Sequence, residues 1–380
     1  MLSEDGYVID DGVVMRLAED RFHVTTTTGG AARVFAVMED YRQTEWPDLR
    51  VWATSITEQY ATIAINGPKA RDILAPLVDG IDLSAAAFPH MSVREGKVAG
   101  VAARLARVSY TGEVGFEVNV PADFGESVLE AIWAEGEKVG AVAYGLDALY
   151  LLRAEKGYMM VGQDTDGSVT PDDLGLSRMV AAAKPDFIGK RSLSLADLAR
   201  AGRRQLVGLL PEDPTFVPDE GAQIVAEAAP PKGAAALGWV TSAYLSPTLQ
   251  RSFALALIAD GRNRLGEVLF ATTMEAAKPV KLVEPVFYDK EGRRLELCRE
   301  AGRRTPLDPE RARLARQRLR QGNRRAVRRA LDPARRTGGQ RASRRRLRRD
   351  AAARAVARGR RRPARRAVAR TRRVAADRRG

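Results

Sequence analysis

The chain has 380 residues and a formal net charge of +14, with 45% apolar residues, one cysteine and two histidines. That charge hides two unlike pieces: residues 301–380 hold 31 arginines, no lysine and 5 acidic residues, a balance of +26, whereas residues 1–300 hold 31 basic and 43 acidic side chains, a balance of −12. A lone Cys298 excludes an internal disulfide and fits a reducing cytoplasm, His23 and His90 offer no zinc-ligand spacing, and neither a leader-like start nor a run of ~20 apolar residues is present.

Residues 1–300 are long enough for two domains of ~100–200 residues each. Tyr7-Val8-Ile9 and Val13-Val14-Met15 are short apolar runs around Asp10-Asp11-Gly12, where Asp-Gly is a strong hairpin-turn signal. Arg21 to Thr28 reads as a strand ending at Gly29-Gly30, followed by a helix from Ala31 to Glu45 capped by Thr28. A glycine pair there is an ordinary helix start, or it aims backbone N–H groups at a ligand. Ser55 to Ile65 reads as a strand, Asn66-Gly67-Pro68 as a turn, and Lys69 to Leu77 as a helix opened by Pro68.

Val93 to Tyr110 supplies further strands that lead into RVSYTGEVGFEVNV, residues 107–120. Val108 and Tyr110, then Thr111-Gly112, then Phe116, Val118 and Val120 alternating with Glu117 and Asn119 predict a β-hairpin. Glu117 is an outward-facing strand glutamate or a carboxylate offering two acceptor oxygens to a ligand edge with two parallel N–H donors. Residues 124–139 form an amphipathic helix with Val128, Leu129, Ile132 and Trp133 on one face, and Leu146 to Glu155 a second helix whose last turn carries Arg153 against the dipole. After a polar loop at 164–175 and a short helix beyond Phe187-Ile188-Gly189-Lys190, a boundary falls near residue 200. Six short strands, at 206–210, 221–225, 236–240, 253–258, 267–271 and 278–283, then predict a small antiparallel barrel or sandwich.

Tyr110-Thr111-Gly112-Glu113-x-Gly115-Phe116-Glu117 resembles the folate-binding signature of the aminomethyltransferase family, the T-protein of glycine cleavage and its relatives. Ile9-Asp10-Asp11, Asn66-Gly67-Pro68-Lys69-Ala70, Leu152 to Tyr158, Phe187 to Lys190 and Thr241-Ser242 through Arg251-Ser252 continue the resemblance in family order. Residues 25–33, 162–167 and 286–292 look most like the C-terminal half of the alpha subunit of heterotetrameric sarcosine oxidase. The resemblance implies an α+β, aminomethyltransferase-like folate-binding domain over 1–200, N-terminally truncated, a small antiparallel β-barrel over 201–298, and an Arg-rich low-complexity tail over 299–380.

It further implies tetrahydrofolate as cofactor, with Glu117 anchoring the pterin edge, Asp11 beside the reacting nitrogens as charge stabiliser or base, and Tyr110 and Phe116 packing against the ring. No G-x-G-x-x-G motif follows a strand, so flavin and NAD are expected on other polypeptides. The implied partners are the beta, gamma and delta subunits of sarcosine oxidase. The alternatives are a stand-alone aminomethyltransferase, which the Leu149-Tyr150 pair argues against because relatives carry Arg-Asp there, or a remnant that binds nucleic acid through its tail. The sequence also departs from the aminomethyltransferases proper at Thr27-Thr28, where an Asn is usual.

By the same resemblance Met1 falls inside a continuing domain, so an unpaired sheet edge is expected. The tail, lacking aromatics and Ile, is expected to be disordered alone and to bind polyanions non-specifically, or to be a shifted reading frame in GC-rich DNA.

Overall fold

The structure, a computed structural model, describes residues 1–296; Cys298 and the Arg-rich tail, with the expectations attached to them, lie outside the described residues. The described residues fall within one compact unit. A two-stranded ribbon, β1 (Val14–Arg16) and β2 (Phe22–Val24), precedes helix α1 (Ala31–Thr44). Next come β3 (Tyr60–Asn66), α2 (Ala70–Leu74), β4 (Val78–Asp79), β5 (Val93–Val98), β6 (Val101–Ala106) and β7 (Gly115–Pro121). Helices α3 (Gly125–Lys138) and α4 (Leu146–Glu155) follow, and then a short α5 (Ala196–Ala199).

Strands β3 to β7 make one antiparallel sheet in the order β3-β7-β6-β5-β4. Successive side chains on a strand point to opposite faces, so each strand sorts its residues into two sets. One set, with Ile65, Leu105, Phe116, Val118 and Val120, packs with Ile73, Leu74, Val128 and Ile132 of α2 and α3 into a core. The other face is polar: Glu95, Arg104, Asn119 and Thr62 lie in register across four strands. Arg104 pairs with Glu95 at 3.1 Å, Asn119 Nδ2 donates to the Arg104 carbonyl at 3.3 Å, and the Thr62 hydroxyl donates to Asn119 Oδ1 at 2.7 Å.

The predicted tight hairpin is not what forms. Strand β7 pairs with β6 and β3, and residues 107–114 are a loop containing Tyr110 rather than its partner strand. Arg107, fully buried, holds that loop by donating to the Gly115 carbonyl at 3.1 Å, and Gly112 turns it at φ +75° where a Cβ would meet Lys156. Two smaller expectations also shift: α1 is capped by Gly30 with no side-chain bond from Thr28, and Leu129 of α3 is exposed rather than on the buried face.

The second half is a closed antiparallel barrel, β10-β11-β8-β13-β12-β9, built from β8 (Arg204–Pro211), β9 (Gln223–Val225), β10 (Gly238–Ser246), β11 (Arg251–Ala259), β12 (Val268–Ala271) and β13 (Lys278–Val283). Ala254, Ala256 and Ile258 of β11 fill the barrel, while Phe253, Leu255 and Leu257 face outward against Val8, Ala154, Met159 and Leu174. Burial on both faces explains the unbroken apolar run of β11. A last short helix, α6 (Arg293–Glu296), ends the described chain. Among the described residues no helix is long and apolar enough to cross a membrane.

Candidate functional site

Glu117 sits on the polar sheet face at mid-strand. Its neighbours in register are Ala64 of β3 and Ala106 of β6, so no bulky side chain flanks its carboxylate across the sheet. The carboxylate is part-buried and has no hydrogen-bond partner among the described residues, and burial alone pushes its pKa up. A desolvated acid without a counter-charge is costly to the fold, which makes Glu117 a candidate ligand group.

Phe116 does not share that face. It is fully buried in the helix-side core, edge-on to Phe88 at 5.7 Å and beneath the Arg107 guanidinium at 5.1 Å. Adjacent strand residues face opposite sides of the sheet, so Phe116 packs behind Glu117 in the core rather than on its face.

Strand β1 rests on the sheet's polar side, with Met15 packed against Ala106 and Val108. That docking places the Ile9-Asp10-Asp11 segment four residues ahead, within ~14 Å of chain. The two acids have different surroundings. Asp10 is 1% exposed and accepts three hydrogen bonds, from Thr27 N at 3.0 Å, Thr27 Oγ1 at 3.1 Å and Asp11 N at 2.8 Å. It ties the turn to the start of α1, and only glycine fits at position 30, where a Cβ would stand 1.5 Å from Asp10 Oδ2. Among the described residues the Asp11 carboxylate accepts no side-chain hydrogen bond, and its pKa is raised by burial first and by the charge of Asp10 second, against the Met1 ammonium.

Tyr110 donates its hydroxyl to the Met159 carbonyl at 2.7 Å, and its ring stacks on Tyr158 with centroids 6.1 Å apart. Burial holds its pKa above the ordinary value; Arg153 works against this, and Asp11, Asp164 and Tyr244 with it. Asp11 and Tyr110 therefore share one electrostatic neighbourhood, at the end of α4.

Arg153 and Asp164, which sequence reasoning did not pair, form the floor of that neighbourhood. Arg153 donates to the Tyr158 carbonyl at 3.0 Å and Ser242 Oγ at 2.7 Å, and pairs with Asp164. The register of β10 against β11 shifts between Val240 and Ser242, and both Thr241 and Ser242 hydroxyls reach Asp164. A bulge turns two successive residues toward one partner, an effect no local pattern announces.

The C-terminal strand exit straps the site. Phe287 and Tyr288 N–H groups donate to the Glu155 carbonyl at 3.0 and 2.9 Å, Lys156 pairs with Asp289 at 3.1 Å, and Arg294 grips Glu113 of the loop through two bonds of 2.6 and 2.9 Å. Tyr288 lies under the Arg294 guanidinium at 5.4 Å.

Residues 1–184 match the GCVT N-terminal domain family and residues 204–289 the glycine cleavage T-protein C-terminal barrel domain family. The chain is 46% identical over 297 residues to the sarcosine oxidase subunit alpha of Corynebacterium sp. strain U-96, covering 77% of this chain and 31% of that protein. It is 42% identical over 306 residues to the Rhizobium meliloti sarcosine oxidase subunit alpha, 30% of whose length is covered. It is 33% identical over 292 residues to the aminomethyltransferase of Streptomyces coelicolor, covering 75% of that protein. The chain thus spans about a third of the sarcosine oxidase subunits it matches. Among solved structures, the glycine cleavage system aminomethyltransferase T from Bartonella henselae shares the fold, with a TM-score of 0.64 at 24% identity over 76% of this chain and 75% of that one.

Proposed function

The chain belongs to the glycine cleavage T-protein family of aminomethyltransferases, and from that premise we propose that it binds tetrahydrofolate and carries the one-carbon transfer step of a sarcosine oxidase. In this reading sarcosine is oxidised at a flavin held by other subunits. The one-carbon unit reaches tetrahydrofolate here, and the net products are glycine, 5,10-methylenetetrahydrofolate and hydrogen peroxide. The identity to sarcosine oxidase subunit alpha supports sarcosine as substrate and an enzyme of several subunits; the beta, gamma and delta subunits as partners and a cytoplasmic location belong to the same proposal.

The observation that carries the reading is the unpaired, desolvated carboxylate of Glu117 between two alanines. Its two oxygens would accept the amide and amino N–H groups of the pterin edge. Asp11, free because Asp10 takes the structural hydrogen bonds, would hold negative charge beside the reacting folate nitrogens and take up a proton at its carboxylate. Tyr110 would flank the ring with the face not taken by Tyr158. A division of the described chain near residue 200, between sheet domain and barrel, belongs to the same proposal.

Calorimetric titration of the full chain with tetrahydrofolate tests this. Saturable binding is expected, weakened about a hundredfold or more in Glu117→Ala, on the order of a few kcal/mol for a buried charged hydrogen-bond pair. Unchanged affinity in that variant sinks the assignment. The coverage of three quarters of an aminomethyltransferase favours a second reading, a stand-alone enzyme acting on a lipoyl-carried aminomethyl group. Copurification with a lipoyl carrier protein rather than flavin subunits would select it.

A further inference from the structure

Asn66 closes β3 opposite Gly115, and Ala64 stands two positions earlier opposite Glu117. Residues two apart on a strand share a face at about 6.6–7 Å, so the Asn66 side chain leaves the sheet on the same side as Glu117. Their register partners, Gly115 and Ala64, carry no side chain larger than a methyl. Glycine is required at that corner, because a Cβ there would stand 2.5 Å from both Asn66 Oδ1 and the Val108 carbonyl.

The Asn66 amide donates to the Tyr144 hydroxyl at 2.6 Å. This pins a tyrosine from the loop ahead of α4 beside Glu117, 78 residues away in the chain from the asparagine that holds it. A phenol oxygen that accepts from an amide keeps its own proton to donate, and no acceptor for that proton is found among the described residues. Tyr144 keeps 39% of its surface exposed; desolvation of its phenol first, opposed by the Asn66 donor and helped by the Glu117 charge, raises its pKa.

The corner therefore presents a fixed pattern: an acceptor pair at Glu117 and, next to it, an O–H donor whose oxygen is already occupied. A ring edge that matches it has two N–H donors followed by a carbonyl. We propose that Tyr144 is a specificity-determining residue that donates to the ring carbonyl adjacent to the N–H pair held by Glu117, selecting 4-oxo over 4-amino pteridines. A 4-amino pteridine has neither the carbonyl nor a hydrogen on N3, so Glu117 loses one of its two donors and the phenolic proton loses its carbonyl acceptor; the part due to Tyr144 is the difference that Tyr144→Phe removes. The inference rests on the folate reading given above.

The test compares tetrahydrofolate with its 4-amino counterpart, tetrahydroaminopterin, by calorimetry on the full chain and on Tyr144→Phe. Loss of one neutral hydrogen bond should weaken tetrahydrofolate about five- to tenfold, and tetrahydroaminopterin by less than about twofold. A general loosening of the loop would weaken both alike. Equal weakening of the two ligands, or unchanged tetrahydrofolate affinity, overturns the role of Tyr144 while leaving the Glu117 site intact. A wild-type chain that binds no tetrahydrofolate overturns the folate reading and this inference together.

Discussion

Arg153 and Asp164 form an ion pair with both side chains at 0% exposure, bolting the end of α4 to barrel strand β10 through Thr241 and Ser242. Five side chains spread over 92 positions of chain, from Arg153 to Tyr244, meet in this network. Removing one member leaves a buried charge uncompensated.

Asp164→Ala should therefore destabilise the protein by roughly 3–5 kcal/mol, measured by urea unfolding of the full chain. The loss should exceed that of Arg262→Ala, whose pair with Asp172 is 38% and 63% exposed and belongs to the surface class worth little. Equal losses would show that Arg153 is compensated elsewhere.

Glu117 makes the opposite prediction for stability. Its folded pKa is raised by burial, so the folded state binds its proton more tightly than the unfolded state. The stabilisation it contributes is complete below the unfolded pKa and is lost as pH rises through the folded value. Glu117→Gln should therefore raise the melting temperature at about pH 7, with the gain shrinking toward about pH 4, while tetrahydrofolate affinity falls. Thermal scans across that range check the sign; a variant less stable at neutral pH would mean the carboxylate has a protein partner.

The two neighbouring acids should separate cleanly. Asp10→Ala strands two part-buried N–H groups and a hydroxyl, and should cost about 1–3 kcal/mol of stability. Asp11→Asn removes a carboxylate without a side-chain partner, so folding should change little while one-carbon transfer falls on the order of 100-fold or more. The comparison requires unfolding curves and single-turnover rates on both variants.

Gly157 controls the strap. It has φ +75°, and a Cβ would lie 2.6 Å from the Pro285 carbonyl. Gly157→Ala should push residues 285–289 away from Glu155, seen as faster limited proteolysis in that segment. An unchanged cleavage pattern would show that the strap is held by the Arg294–Glu113 and Lys156–Asp289 pairs alone.

Most local elements and the family were legible in the order of residues. Apolar periodicity located α1, α3, α4 and all six barrel strands, because a helix face or strand face is written into spacing over a few residues. It also drew attention to Glu117, an acid interrupting an apolar alternation, whereas Asp11 is marked by the family resemblance and not by periodicity. The partners came from the folded arrangement: that β7 pairs with β6 and β3 instead of residues 108–110, that Phe116 packs in the core, that Asp10 rather than Asp11 takes the structural bonds, and that Arg153 meets Asp164 and Tyr144 meets Asn66. Hydrogen bonds and ion pairs act over about 3 Å in space whatever the chain separation, so residues tens of positions apart acquire their roles only once the sheet register and the barrel docking have brought them together.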